Sequence, residues 1–214
     1  MGELEAFTFN VETHEYALAG ESIPSCTKIL SSGGLVSFDH VAADVLEKKS
    51  ELGREVHRAC HLWNIGTLKS CDDRVRPYLN AWILFLEKTK FKPLLSEFQT
   101  IGYVNGMPFG MQIDSQGMIG KEDTIVELKI GEILPHHGIQ LAGYAAGLPH
   151  KTLATALARF MMRKRIAVQL RENSVPKIHR FEERSDFDVF ASALYIAHWK
   201  QQFTSVYERE RKVF

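Results

Sequence analysis

The chain reads as a mixed α/β (α+β) protein with a central mixed sheet flanked by helices. Three observations predict this. Two early segments carry apolar residues at helical spacing. A cluster of strand-like runs joined by short turns lies between Glu97 and Ile130. Helical spacing then returns at 136–148 and 186–211. The 214 residues are enough for a single domain with a real core. We read that domain as 1–214, with its core at about 38–170 and a C-terminal helix at about 186–211.

Taken in order, Phe7 to Ala17 alternates loosely, as a small hairpin or edge strand does. Pro24 and Gly33-Gly34 mark turns, and "SCTKIL" between them reads as a short helix. Phe38 to Trp63 reads as a helix with Asp39 as N-cap and a stripe of Val41, Val45, Leu52, Val56, Cys60 and Trp63. Arg74 to Lys90 is a second, with Val75, Tyr78, Leu79, Trp82 and Leu86 on one side and Pro93 as its terminator. Glu97 to Val104 is a strand. Asn105-Gly106 is a hairpin turn signal, and Pro108 to Ile119 returns from it. "GMIGKED" leads into a third strand, Thr124 to Ile130. His136 to Leu148 is helical and closed by Gly147 and Pro149. "RIAVQL" and "PKIHRF" are further strands. The final helix, Asp186 to Arg211, has Ser185 as N-cap and buries Phe187, Phe190, Leu194 and Ala197.

Composition narrows the function. Formal charge is zero, so affinity for a polyanion has to come from a local patch. Cys26, Cys60 and Cys71 are odd in number and form no CxxC, which argues against a zinc or iron–sulfur site and for a reducing cytoplasm. No signal peptide, myristoylation motif or membrane-length apolar run is read.

One strand breaks the apolar rule. In Thr124 to Ile130, Val126, Leu128 and Ile130 share one face, which is core, whereas Ile125, Glu127 and Lys129 share the other. On the preceding strand Phe109, Met111 and Ile113 point one way and Gly110, Gln112 and Asp114 the other. If the two strands pair antiparallel, Asp114 comes near Glu127 and Lys129. Two close carboxylates repel, and a divalent cation relieves that repulsion. A small set of hard oxygens, including the Leu128 carbonyl, suits magnesium or manganese. Taken alone, a Glu and a Lys on one exposed sheet face usually form an ordinary cross-strand or same-strand ion pair.

The wider pattern resembles the PD-(D/E)XK nuclease superfamily, in particular its RecB-type and phage-type exonuclease branch. "GREVH" supplies Gly53 and His57, "SEFQT" Glu97, "GMQID" Asp114, "ELK" Glu127 and Lys129, and "QLAGY" Gln140 and Tyr144, in the family's order. "IPSCTKIL" resembles the opening of many phage members, so the likeness spans roughly Tyr16 to Leu148. It departs from the family at Ile113, where the nominal motif has proline. It departs again in having Glu127 rather than aspartate, and no four-cysteine cluster or helicase motif. The resemblance implies a restriction-endonuclease-like core with Lys129, Glu127, Asp114, Gln140 and Tyr144 as catalytic residues. It implies that His57, Asp114, Glu127, the Leu128 carbonyl and Glu97 hold one or two Mg2+ or Mn2+ ions. Lys129 would steady phosphoryl charge or serve the attacking water, acting as base only if its pKa is depressed. Gln140 and Tyr144 would contact the DNA backbone or support Lys129.

The implied activity is a DNA exonuclease that leaves 5′-phosphate and 3′-hydroxyl products in recombination, repair or replication, in phage or related systems. DNA would be the substrate and a helicase or single-strand annealing protein a partner, with a homo-oligomer allowed by the family. The alternatives are a non-catalytic or partner-dependent DNA-binding module, and a sequence-specific endonuclease. Outside the motif, "RFMMRKR" is read with Met161 and Met162 packed and Arg163, Lys164 and Arg165 in water, where they are the candidate phosphate contacts. His61 is read as structural and His136 and His137 as exposed loop residues. Trp63, Trp82 and Trp199 are read as core.

Overall fold

The computed structural model describes residues 7–10, 13, 15–36 and 43–211, with backbone alone at 43–50 and 204–211. Strands β1 (Phe7–Asn10), β2 (Glu15–Leu18) and β3 (Glu21–Ile23) form a small antiparallel sheet. The expected hairpin is therefore a three-strand meander. Its second turn uses left-handed Ala19 and Gly20, with φ of 51° and 85°. Helix α1 (Cys26–Ser32) starts where the Ser25 hydroxyl accepts the Lys28 N–H at 3.2 Å.

Helix α2 (Ala43–Asn64) is the first predicted long helix. The expected start at Phe38, the Asp39 cap and Val41 lie outside the described residues, as does the side chain of Val45. Val56 and Cys60 are buried as expected, but Trp63 is 43% exposed at the helix end. Helix α3 (Arg76–Thr89) stops at Lys90, whose φ of 58° ends the helical path. Pro93 is not the terminator. It lies inside β4 (Lys92–Val104), an edge strand, where a missing N–H costs no ladder bond.

The Asn105-Gly106 turn, with φ of 52° and 79°, joins β4 to β5 (Met107–Ile119), and β6 (Glu122–Lys129) completes an antiparallel meander. Helices α4 (His136–Gly147) and α5 (Ala156–Met162) cross over to β7 (Lys164–Gln169), which is parallel to β6. Strand β8 (Lys177–Phe181) pairs antiparallel with β7, and α6 (Ser185–Arg211) closes the described chain. The order β4-β5-β6-β7-β8 makes a mixed five-stranded sheet flanked by helices, as predicted.

Both sheet faces are covered. One core gathers Phe109, Met111, Ile113 and Ile125 from the sheet with Ile29, Leu141, Phe190 and Leu194 from α1, α4 and α6. The other gathers Val126, Leu128, Ile166 and Val168 with Val56, Trp82 and Phe85 from α2 and α3. The strand carrying Glu127 is thus buried on both sides, as a strand between parallel and antiparallel neighbours usually is. Phe187, Phe190, Leu194 and Ala197 of α6 are buried as expected.

The basic run corrects the reading made from sequence. Helix α5, absent from that reading, is capped by the Thr155 hydroxyl and leaves Met161 and Met162 60% and 37% exposed. Arg163 and Arg165 are buried instead. Arg163 donates to the carbonyls of Ala145, Leu148 and Pro149 at 2.7, 2.6 and 3.0 Å and pairs with Asp123 at 2.9 Å. It thereby satisfies carbonyls left unpaired at the end of α4. Arg165 holds Gly138 O, Glu183 O and Asp186 and lies over the Phe160 ring. Neither guanidinium faces water. Lys164 alone of the three does, and it pairs with Glu122 at 3.4 Å. Trp199 is likewise exposed, so only Trp82 among the tryptophans belongs to the core.

Candidate metal centre

The site forms where β5 and β6 part. Their ladder ends at Ser115–Val126. Past that pair the Leu128 N–H has no strand partner, and the Asp114 carboxylate takes it through Oδ2 at 2.7 Å. One carboxylate oxygen thus stands in for the missing strand bond, and its other oxygen, Oδ1, faces His57 Nδ1 at 3.4 Å.

The chain turns twice to bring its other groups here. Strand β4 pairs Ser96 with Ser115 and Phe98 with Ile113. Glu97, between them, has a φ of 49°. A left-handed residue inside a strand re-aims its side chain, and Glu97 Oε1 reaches His57 Nδ1 at 3.3 Å. His57 arrives from α2. Its Nε2 faces the Leu128 carbonyl at 3.2 Å. His57, Glu97 and Asp114 form a cluster that could hold a metal ion, with one ligand atom from each lying within 4.8 Å of the others.

On the α4 side, Glu127 Oε1 accepts Lys129 Nζ at 2.7 Å and Gln140 Nε2 at 2.9 Å. Gln140 also meets the Tyr144 hydroxyl at 2.9 Å, one helical turn on. The structure therefore joins Gln140 and Tyr144 to Glu127. His61 is not part of the cluster. His137 is buried at the start of α4, where its Nδ1 accepts the Leu134 N–H at 2.9 Å, so it is not an exposed loop residue.

Electrostatics follow from burial and crowding. Burial raises the Glu127 carboxyl, the nearby Asp114 charge raises it further, and Lys129 only partly offsets them; the result is about 7. Burial also opposes the Asp114 charge, but His57, Lys129 and the Leu128 N–H outweigh it and hold its pKa low. Burial disfavours the His57 cation, yet Asp114 and Glu97 overcome this and lift its pKa well above the ordinary imidazole value. All three neighbours of its ring nitrogens are acceptors, which suits an imidazolium donating from both. Lys129 is likewise desolvated but raised by Glu127 and Asp114. The depressed lysine that a general base needs is therefore not what this environment produces. Among the described residues, Glu127 Oε2 is buried with no hydrogen-bond partner. A buried anionic oxygen without a donor is costly. A cation would meet that need: the carboxylates and the Leu128 carbonyl are hard oxygen donors, and the His57 imidazole joins them once it gives up a proton.

A cavity of about 1120 Å³ opens beside Gln112 and Tyr144, walled by α1, β3 and α6 and bordered by Lys28, Ser25 and Lys200. No helix among the described residues is long and apolar enough to cross a membrane.

No family model matches the chain, and no curated protein matches it. Among solved structures it is similar to a protein from Eubacterium rectale named provisionally as an exonuclease. The two are 12% identical with a TM-score of 0.45, over 86% of this chain and 73% of that one. It is also similar to a protein named SSO0001, with 16% identity, a TM-score of 0.35 and 81% of each chain covered. Likeness at this level carries no functional argument. What the chain can do rests on its own site, where His57, Glu97, Asp114, Glu127, Lys129, Gln140 and Tyr144 converge on the parted ends of two strands.

Proposed function

We propose that the chain is a metal-dependent deoxyribonuclease of the PD-(D/E)XK type, in the RecB-type or phage-type branch. It would be an exonuclease that hydrolyses phosphodiester bonds to 5′-phosphate and 3′-hydroxyl ends. One observation carries the reading. Residues singled out by motif order, scattered from 57 to 144, meet in two bonded sets, His57 with Glu97 and Asp114 and Glu127 with Lys129, Gln140 and Tyr144, made at 2.7 to 3.4 Å on either side of the Leu128 backbone. A mere surface ion pair would need only Glu127 and Lys129.

His57, Glu97, Asp114, Glu127 and the Leu128 carbonyl would hold one or two Mg2+ or Mn2+ ions. When bound, such an ion supplies Lewis acidity and a water of lowered pKa. Lys129, kept cationic by two carboxylates, steadies charge on the phosphoryl oxygens rather than taking a proton. Gln140 fixes the rotamer of Glu127, and Tyr144 fixes Gln140. DNA would be the substrate, gripped by its backbone, with Lys164 the only one of the three predicted basic contacts still available. The same reading places the chain in a cytoplasm, as a single domain working in DNA recombination, repair or replication.

The test is degradation of linear DNA labelled at its 5′ or 3′ end, with Mg2+, Mn2+ or EDTA, alongside Lys129→Ala. The expected result is metal-dependent loss of label that falls at least a hundredfold in the variant, with order of release giving polarity. Retained DNA binding with no cleavage in either metal would favour a non-catalytic module. Undiminished cleavage by Lys129→Ala would sink the site assignment.

A further inference from the structure

We propose that Gln112 is a positioning residue for Glu97, holding that carboxylate at the His57–Asp114 cluster; the inference rests on the metal-centre reading above. Among the described residues, Glu97 is the only non-glycine residue inside a strand with a positive φ, at 49°. The others, Ala19, Lys90, Asn105 and Ser174, lie outside the strands. A side-chain-bearing residue keeps that conformation only where its surroundings over-determine it. Two side-chain contacts hold Glu97 in place. Oε1 faces His57 Nδ1 at 3.3 Å, and Oε2 accepts a short bond of 2.5 Å from Gln112 Nε2.

The polarity of this contact is forced. A carboxylate only accepts, so the Gln112 amide must turn its nitrogen to Glu97 and its oxygen away. That oxygen meets a donor, Gln99 Nε2, at 3.5 Å, from the residue paired with Gln112 across the ladder. A directed relay therefore runs from Gln99 to Gln112 to Glu97, whose other oxygen accepts from His57. Gln112 also borders the large cavity. By engaging Oε2, it leaves Oε1 as the oxygen presented to the cluster. Partners that orient a ligand in this way typically change metal affinity or activity by about ten- to a hundredfold when removed.

The experiment is Mn2+ binding, by calorimetry and by electron paramagnetic resonance, to wild type, Gln112→Met, Glu97→Gln, the double variant and Asp114→Asn. Thermal melting of each checks the fold. Gln112→Met keeps the length and removes the donor. It is expected to weaken Mn2+ binding about tenfold or more with an unchanged melting temperature. Because Gln112 acts through Glu97, the double variant should bind no more weakly than Glu97→Gln alone. Wild-type affinity in Gln112→Met would overturn the inference, and so would a double variant weakened by the product of both effects. If Gln112→Met does not fold, Gln112→Glu, which keeps the shape and swaps donor for acceptor, is read by the same criteria. Wild type that binds no Mn2+, or Asp114→Asn that binds like wild type, would instead remove the metal-centre reading and this inference with it.

Discussion

Glu127 makes the sharpest prediction because its burial and its neighbours push in one direction. In the folded chain its carboxyl titrates near 7, against 4.5 when exposed. The folded state therefore binds this proton more tightly than the unfolded state. The stability it confers is full below pH 4.5 and is lost as pH rises through 7. That difference corresponds to on the order of 3 kcal/mol. For a domain of this size the loss is a fall in melting temperature of about 6–12 °C. The perturbation is Glu127→Gln, which keeps shape and an acceptor for Lys129 but cannot ionise. The assay is thermal melting from pH 4.5 to 8.5 in EDTA, followed by circular dichroism. Wild type should lose stability across the window, and the variant should lose much less. His57, whose folded pKa is also raised, adds a loss of the same sign in both proteins at the upper end, so the difference between them isolates Glu127. Asp114 is held low, and its contribution is lost only as pH falls below the usual carboxylate range. Excess Mg2+ should restore wild type, most at high pH where the carboxylate is ionised. Parallel wild-type and variant curves in EDTA would refute the argument that Glu127 is buried against Asp114 at a cost.

Two further predictions test the corrected parts of the fold. Arg163→Ala leaves three carbonyls at the α4 end without this donor and breaks the ion pair of Asp123, which keeps only its bond from Gln116, so it should destabilise by about 3–5 kcal/mol in denaturant melts. A filter-binding assay should then show that the folded fraction keeps its DNA affinity; a selective loss of DNA binding with full stability would restore Arg163 as a phosphate contact. Gly110→Ala places a Cβ 2.0 Å from Tyr16 Cγ, where the N-terminal sheet docks on β5. It should expose Tyr16 and loosen β1–β3, seen as faster amide exchange there with the β5–β7 core still protected; unchanged exchange would show that Tyr16 is free to move aside.

Much of the architecture was legible because local rules and global packing agree. The Asn105-Gly106 turn, the apolar stripes of α3 and α6, and the alternation of β6 each encode their own geometry. Short elements were not legible. Helix α5 spans seven residues, too few for a period, though Thr155 before "ALARF" was a cap signal that could have revealed it. Strand β4 was cut short at Glu97 because Pro93 reads as a breaker, and only the edge position of β4 makes that proline harmless. The environment of each arginine was hidden for a different reason. Nothing in "RFMMRKR" says that the carbonyl end of a helix fifteen to eighteen residues earlier will sit over Arg163.

The site divides in the same way. Sequence alone singled out the groups that the fold brings together from 57 to 144, since residue identity and motif order are one-dimensional properties, but it did not single out Gln112. It also placed Glu127 and Lys129 together on the strand face opposite Val126, Leu128 and Ile130; that this face is covered as well was decided by the fold. Tertiary structure alone decided how those charges are held. It parted β5 from β6 so that Asp114 takes a backbone N–H. It bent Glu97 into the left-handed region and set Gln112 against it. It kept Lys129 cationic and left one oxygen of Glu127 unpartnered. These depend on distances between segments up to 71 residues apart, and such distances arise only when helices from both faces close over the sheet.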